Sequence, residues 1–181
     1  FTRVFESVTG RIGLVYNVTP NLTPYISYTM GQDPVGTSIF IVNANQNFDL
    51  SDSYQIEVGV KGDTTDQRLD YTLAAYYIER KNILTQTDQD TVATAGSQES
   101  QGFEATVNFK LTDHWTVSTN AFYTDASYGE FRFSATEDAS GNRFPNVPKW
   151  LGNVWTSVKD IAGTGLELGV GVRYVGSRFA D

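Results

Sequence analysis

Apolar and polar residues alternate one for one along most of this chain. Residues 102–111 show the pattern at its clearest. Phe103, Ala105, Val107, Phe109 and Leu111 fall on one side; Glu104, Thr106, Asn108 and Lys110 fall on the other. Successive side chains of an extended strand point to opposite faces, so this period of two predicts a strand with one apolar wall and one wet, charged wall. A run of about ten residues is the length a tilted strand needs to cross a bilayer core.

The pattern recurs and predicts about eight strands. The first, 9–18, sets Ile12, Leu14, Tyr16 and Val18 against Arg11, Gly13, Val15 and Asn17. The second, 22–30, rises through Tyr25 and Tyr28, and the third, 53–62, alternates Ile56, Val58 and Val60 with Glu57, Gly59 and Lys61. The fourth runs from 68 to about 86, and its charged tail Glu79-Arg80-Lys81-Asn82 is expected to project beyond the lipid. The fifth is the run quoted above, the sixth covers 115–125 and continues toward Tyr128, and the seventh covers 147–159. The eighth, 165–175, sets Leu166, Leu168, Val170, Val172 and Tyr174 against Glu167, Gly169, Gly171 and Arg173.

The connections alternate in length. Segments 19–21, 63–67, 112–114 and 160–164 are short; 31–52, 87–99 and 129–146 are long and polar, with a small apolar island at 38–42. Soluble sandwiches favour short loops at both ends, whereas outer-membrane barrels combine short periplasmic turns with long extracellular loops. The fold expected is therefore all-β: an antiparallel up-and-down transmembrane β-barrel segment with its short turns at the periplasmic rim. A mean hydropathy of −0.30 does not oppose this, because half of each barrel strand faces a wet lumen. The chain has no apolar run of roughly 18 residues, so no transmembrane helix is predicted.

The net charge of −8 argues against nucleic-acid phosphates as partners. Aromatic residues make up 13% of the chain, and Tyr and Trp favour membrane interfaces, where the ring is buried and its polar edge stays wet. There is no cysteine, hence no disulfide framework and no thiolate chemistry. The opening Phe1-Thr2-Arg3-Val4 lacks a signal-peptide pattern, and Arg178-Phe179-Ala180-Asp181 follows directly on an apolar strand, so both ends read as cuts inside a longer polypeptide.

Several patches, taken in order, resemble one family. Thr9-Gly10-Arg11-Ile12-Gly13-Leu14-Val15-Tyr16 is followed closely by Leu22-Thr23-Pro24-Tyr25-Ile26-Ser27-Tyr28. Glu57-Val58-Gly59-Val60-Lys61 forms an E-x-G-x-K strand, and Ala75-Tyr76-Tyr77-Ile78-Glu79-Arg80-Lys81-Asn82-Ile83 forms the next strand and its exit into a loop. Gly102-Phe103-Glu104 gives a G-x-E entry, Asn146-Val147-Pro148 an N-x-P segment, and Gly169-Val170-Gly171-Val172-Arg173-Tyr174-Val175-Gly176 a G-x-G-x-R-Y-x-G strand. Their order and spacing resemble the C-terminal half of a TonB-dependent outer-membrane receptor of the ferric-siderophore type. The resemblance implies a 22-stranded barrel, a size known among plugged transporters. It also implies a plug domain, energy coupling through TonB, and import of a ferric siderophore across the bacterial outer membrane. The plug, the coupling segment and the last strands are absent from this sequence, so 1–181 is expected to be a partial barrel domain in contact with outer-membrane lipid.

The wet face carries Glu57 with Lys61, Glu104 with Lys110, and Glu167 with Arg173. These charges either hold a plug or are simply solvated, and solvation is the better-supported reading because exposed ion pairs contribute only about 0–1 kcal/mol. Gly13, Gly59, Gly169 and Gly171 on the same face point to clearance or curvature.

No cofactor and no metal site is expected. His114, the sole histidine, sits in a short turn, and Asp88-Gln89-Asp90 lacks the glycine and terminal glutamate of a calcium loop. No G-x-S-x-G elbow, phosphate loop or dinucleotide fingerprint occurs, so catalysis is not supported. Ligand contacts are expected in the long loops, where Phe40, Phe48, Phe131, Phe133 and Phe144 lie; loop packing is the competing and favoured use of these rings. Two rival functions remain. One is a complete eight-stranded barrel with a structural or adhesin role, which would be a closed ring; the other is a lipid-modifying barrel enzyme, which would need a Ser/His pair that one turn histidine does not offer.

Overall fold

The computed structural model describes residues 6–33, 50–88, 91–134 and 136–180. The main strands are β1 Gly10–Val15, β2 Leu22–Asp33, β3 Ser51–Asp63, β4 Leu69–Asp88, β5 Thr91–Lys110, β6 Trp115–Tyr128, β9 Trp150–Val158 and β10 Leu168–Val175. Between β6 and β9 lies a small hairpin of β7 Arg132–Ser134 and β8 Glu137–Asp138. The eight main strands form one antiparallel sheet in the order β1-β2-β3-β4-β5-β6-β9-β10. Each strand lies beside its neighbour in sequence, the up-and-down meander expected from the alternation. Among the described residues β1 and β10 each pair with one neighbour and not with each other, so the sheet is an open section and not a closed eight-stranded ring.

The register aligns the apolar positions. Leu14 faces Ile26, Ile26 faces Val58, Val58 faces Ala75, Ala75 faces Phe103, Phe103 faces Tyr123 and Tyr123 faces Trp150. One apolar row thus crosses seven strands, and a slip of one residue anywhere would turn a whole strand's apolar set to the other side.

Among the described residues nothing covers this face. Val58 and Ile56 lie in the interior of the sheet with strands on both sides, yet they remain 46% and 47% exposed. The only buried hydrophobic side chains among those described are Ala126 and Ala139. A soluble two-layer fold hides such residues against a second sheet. Here the apolar face is the outer surface, and hydrocarbon is the solvent it suits.

Aromatic rings border the face at both ends. Phe103, Tyr123 and Trp150 form one cluster, with centroids 5.3 Å (Phe103–Tyr123), 5.5 Å (Phe103–Trp150) and 4.9 Å (Tyr123–Trp150) apart. Just beyond it, Lys149 and Asp125 pair at 2.9 Å, where the outer surface turns polar. At the other end of β6, the Trp115 indole N–H donates to Thr156 Oγ1 at 2.7 Å and so does not meet hydrocarbon unpaired. The eight steps from Trp115 to Tyr123 cover roughly 26 Å at about 3.3 Å per residue. Tilted by about 40°, that length rises about 20 Å through the bilayer, most of the ~25 Å apolar band between the aromatic girdles of an outer-membrane barrel.

Three expectations from the sequence are corrected. The segment 87–99 is not a loop: β4 runs to Asp88 and β5 begins at Thr91, with Leu84 facing Thr94 and Gln86 facing Val92. The sequence shows no apolar alternation over 87–99, and such alternation is what contact with lipid on one side only selects. The register shifts between Arg80 and Ile83, beside Asn82 at φ 60°, mark where this extension leaves the regular ladder. The segment 129–146 contains the β7–β8 hairpin and is not wholly irregular. The expected turn at 160–164 is present, as a single 3₁₀ turn, Ile161–Gly163, preceded by Asp160 at φ 53°. The ends of the expected loop 31–52 belong to β2 and β3, and the island at 38–42 lies outside the described residues.

Candidate functional site

The wet face is a connected polar wall. Tyr25 donates its hydroxyl to Glu57 Oε1 at 2.7 Å, Gln55 Nε2 donates to Glu57 Oε2 at 3.1 Å, and Lys61 Nζ lies 5.4 Å from the centre of the Tyr25 ring. Further along, Asn108 donates to Asp70 at 2.8 Å, Thr106 to Asn120 at 2.8 Å, and Asn120 to Asn153 at 3.1 Å. The Tyr76 and Thr124 hydroxyls are 2.6 Å apart. None of the three same-face charge pairs expected from the sequence forms a direct ion pair among the described residues; Glu57 and Lys61 meet through the Tyr25 ring.

Of the four wall glycines named above, Gly59, Gly169 and Gly171 make room for aromatic rings on adjacent strands, whereas Gly13 faces only the Ile26 carbonyl and Ser27. A Cβ on Gly59 would come within 2.5 Å of the Tyr25 ring, and one on Gly171 within 2.7 Å of the Trp155 indole, which also lies against Gly169. Clearance is thus the observed role at these positions, and it serves rings of the wall itself. Trp155, half exposed on this face, had no distinguishing mark in the sequence.

The segment after β6 carries the aromatic residues singled out above. Tyr128 is its centre: Phe131 stacks on it at 4.6 Å, Phe144 meets it edge-on at 4.6 Å and Phe133 at 5.7 Å. The backbone pins this arrangement through Tyr128 N–H to Asn142 O at 2.9 Å and Ser97 N–H to Glu130 O at 2.8 Å. Phe131 also packs on β5, where a Cβ on Gly96 would lie 3.0 Å from its ring. Three of the five predicted rings are therefore brought together; Phe40 and Phe48 lie outside the described residues. Phe131 and Phe144 are packing groups, whereas Phe133 stays 50% exposed.

Beside this cluster opens a cavity of about 920 Å³ lined by Tyr128, Phe133, Glu137, Arg143 and Phe179, among others. The Arg143 guanidinium lies 5.3 Å from the centre of the Phe179 ring, and its Nη2 donates to Val147 O at 3.4 Å. Phe179 is held there by its carbonyl, which accepts the Asn146 N–H at 2.8 Å. The sequence reading missed Tyr128, Glu137, Arg143 and Phe179. Arg143 stands beside Phe144 and could have been suspected; Phe179 could not, because the β9–β10 hairpin separates it from the loop. On the loop's outer side, hydrogen bonds from the Ser140 hydroxyl and backbone N–H hold the Asp138 carboxyl below the ordinary carboxylate range. His114 is an exposed turn residue whose N–H donates to Thr112 Oγ1 at 3.2 Å, and among the described residues no group of three or more His, Cys, Asp or Glu converges to hold a metal.

An outward apolar face, a wet inner wall and an aromatic loop at one rim define a wall section of an outer-membrane-type β-barrel. The profile of the family described as TonB dependent receptor-like, beta-barrel, matches residues 1–181, and the chain belongs to that family. It is 31% identical to the probable TonB-dependent siderophore receptor PiuA of Acinetobacter baumannii, over 97% of this chain and 25% of the relative. It is 32% identical to the metal-pseudopaline receptor CntO of Pseudomonas aeruginosa, over 97% of this chain and 24% of the relative. The crystal structure of PiuA superposes with a TM-score of 0.80 at 30% identity, covering 92% of this chain and 26% of that one. The ferric-catecholate import receptor Fiu of Escherichia coli K12 shares the fold at a TM-score of 0.78 and 24% identity, covering 94% of this chain and 24% of that one. The chain thus spans about a quarter of the length of the curated relatives it matches. The family is one of receptors, not of enzymes.

Proposed function

We propose that this chain is a partial barrel domain of a bacterial outer-membrane receptor that imports a ferric siderophore. The observation that carries the reading is the match to siderophore receptors over nearly the whole chain, joined to an apolar face that no described residue covers and that suits lipid. In this reading the apolar band sits in the outer membrane, the short turns face the periplasm, and the long segments reach outside. The plug and the segment that couples to TonB lie elsewhere in the protein, and the polar wall with Glu57, Lys61, Glu104 and Arg173 faces that plug. Transport draws its energy from the inner membrane through TonB.

The test is uptake. Cells that depend on the full-length protein for iron should accumulate radiolabelled iron from a ferric siderophore, and should stop when TonB is deleted or the proton gradient is collapsed. Uptake that persists without TonB would overturn the energised-import reading.

A further inference from the structure

We propose that a recess on the apolar face, at the short-turn rim, holds one acyl chain of a zwitterionic phospholipid whose headgroup carries a phosphate and a primary ammonium. This rests on the membrane placement in the reading above and adds to it a lipid site of stated chemistry. The recess measures about 300 Å³ and is lined by Trp115 on β6, Thr156 and Val158 on β9, and Leu168, Gly169 and Val170 on β10. One wall is fixed by hydrogen bonds. The Trp115 indole N–H donates to Thr156 Oγ1 at 2.7 Å, and that hydroxyl donates in turn to Thr116 O at 3.2 Å.

A lipid tail already lies in hydrocarbon, so it settles on a protein surface only where it packs better than among other tails. A recess with a tethered indole on one side and Leu168 and Val170 on the other supplies such contacts. Its size selects a chain over a second copy of the protein. About 300 Å³ is the lower end of the range for ligand pockets, whereas a stable protein interface needs about 800 Å² per partner.

The adjoining turns supply the charges. His114 precedes Trp115 and Lys159 follows Val158, and the Lys159 N–H donates to His114 O at 2.8 Å, so the two turns stand together. Each turn also brings an acid, Asp113 and Asp160, and all four residues are exposed. Asp160 already accepts the Gly165 N–H at 3.0 Å. That leaves Lys159 for the phosphate and Asp113 for the ammonium. A rim of mixed sign complements a zwitterionic headgroup better than an anionic one, which Asp113 repels.

The experiment uses the full-length receptor, purified in detergent and offered three lipids with identical chains and phosphoethanolamine, phosphocholine or phosphoglycerol headgroups. Native mass spectrometry counts the lipids retained. The wild-type protein should keep one phosphoethanolamine lipid in preference to the other two. Lys159→Gln should weaken its retention about 10-fold, the value of one charge-assisted hydrogen bond. Asp113→Asn should remove the preference over phosphoglycerol. Leu168→Phe, which fills the recess, should weaken all three lipids, whereas Val172→Phe, on the same face outside the recess, should change nothing. Equal retention by these two variants, or no headgroup preference in the wild-type protein, would overturn the assignment. So would a dimer that Leu168→Phe dissociates, since the recess would then belong to a second copy. Leu168→Phe should still insert into vesicles and support iron uptake, which separates loss of this site from loss of the reading above; a wild-type protein that does not insert at all would bring down both.

Discussion

Tyr25 on β2 and Gly59 on β3 stand directly opposite each other, and the phenol ring of Tyr25 fills the space where a side chain at position 59 would be. The ring continues to Glu57 through a 2.7 Å hydrogen bond, so one glycine sets the place of a tyrosine, a glutamate and the lysine above the ring.

Replacing Gly59 by alanine should therefore displace Tyr25 and break its bond to Glu57. The expected cost is about 1–3 kcal/mol, the usual penalty for forcing extra atoms into a packed site. Gly10→Ala is the control, since its Cβ would meet only the flexible Met30 tip at 3.6 Å. Urea unfolding of the full-length protein in lipid vesicles measures the difference; equal stability of the two variants would show that the ring moves aside freely.

The face assignment predicts an asymmetry between adjacent residues. Val107 lies on the outer face between Ala105 and Phe109, and Val107→Arg should cost roughly 2–4 kcal/mol of membrane stability. Asn108 points to the wet wall, where it bonds Asp70 at 2.8 Å, and Asn108→Arg should be tolerated. The heat-dependent gel shift of the folded barrel reports the inserted fraction for each. Equal insertion would contradict the two-faced wall.

The Phe103–Tyr123–Trp150 cluster should act as a unit. Trp150→Ala removes two ring contacts, each worth about 0.5–1.5 kcal/mol beyond buried area, so a loss of about 1–3 kcal/mol is expected. A double-mutant cycle with Phe103→Ala should return a coupling in the range of a single contact; strict additivity would mean that the rings are neighbours without interacting.

The turn between β3 and β4 carries a pH signature. Asp66 accepts hydrogen bonds from Thr64 Oγ1 at 2.5 Å and from the Arg68 N–H at 3.2 Å, and chiefly the Thr64 bond holds its carboxyl below the ordinary value of 3.8. A depressed folded pKa means that the turn's stabilisation is complete above the unfolded carboxylate pKa and is lost as pH falls through the folded one. Exchange protection of the Arg68 amide should accordingly persist somewhat below pH 3.8 and then fade. In Asp66→Asn that pH dependence should vanish.

How much of this was legible in the chain follows from where water and lipid meet it. Within the bilayer each strand has one dry and one wet side, so the period of two in 53–62 and 102–111 is enough to fix both the strand and its facing. Where that constraint lapses the pattern goes with it: 87–99 lacks alternation and gave no sign of the pairing that extends β4 and β5.

The sequence alone determined the class of architecture, the facing of the strands that alternate cleanly (β1, β3, β5 and β10) and the presence of aromatic rings after β6, because all three follow from local alternation and composition. The tertiary structure decided what depends on residues far apart: Tyr25 over Gly59, Trp155 over Gly171, and Phe179 brought beside Arg143. Such pairings are set by strand register and loop closure, which sum many weak preferences across the sheet and leave no mark at any single position.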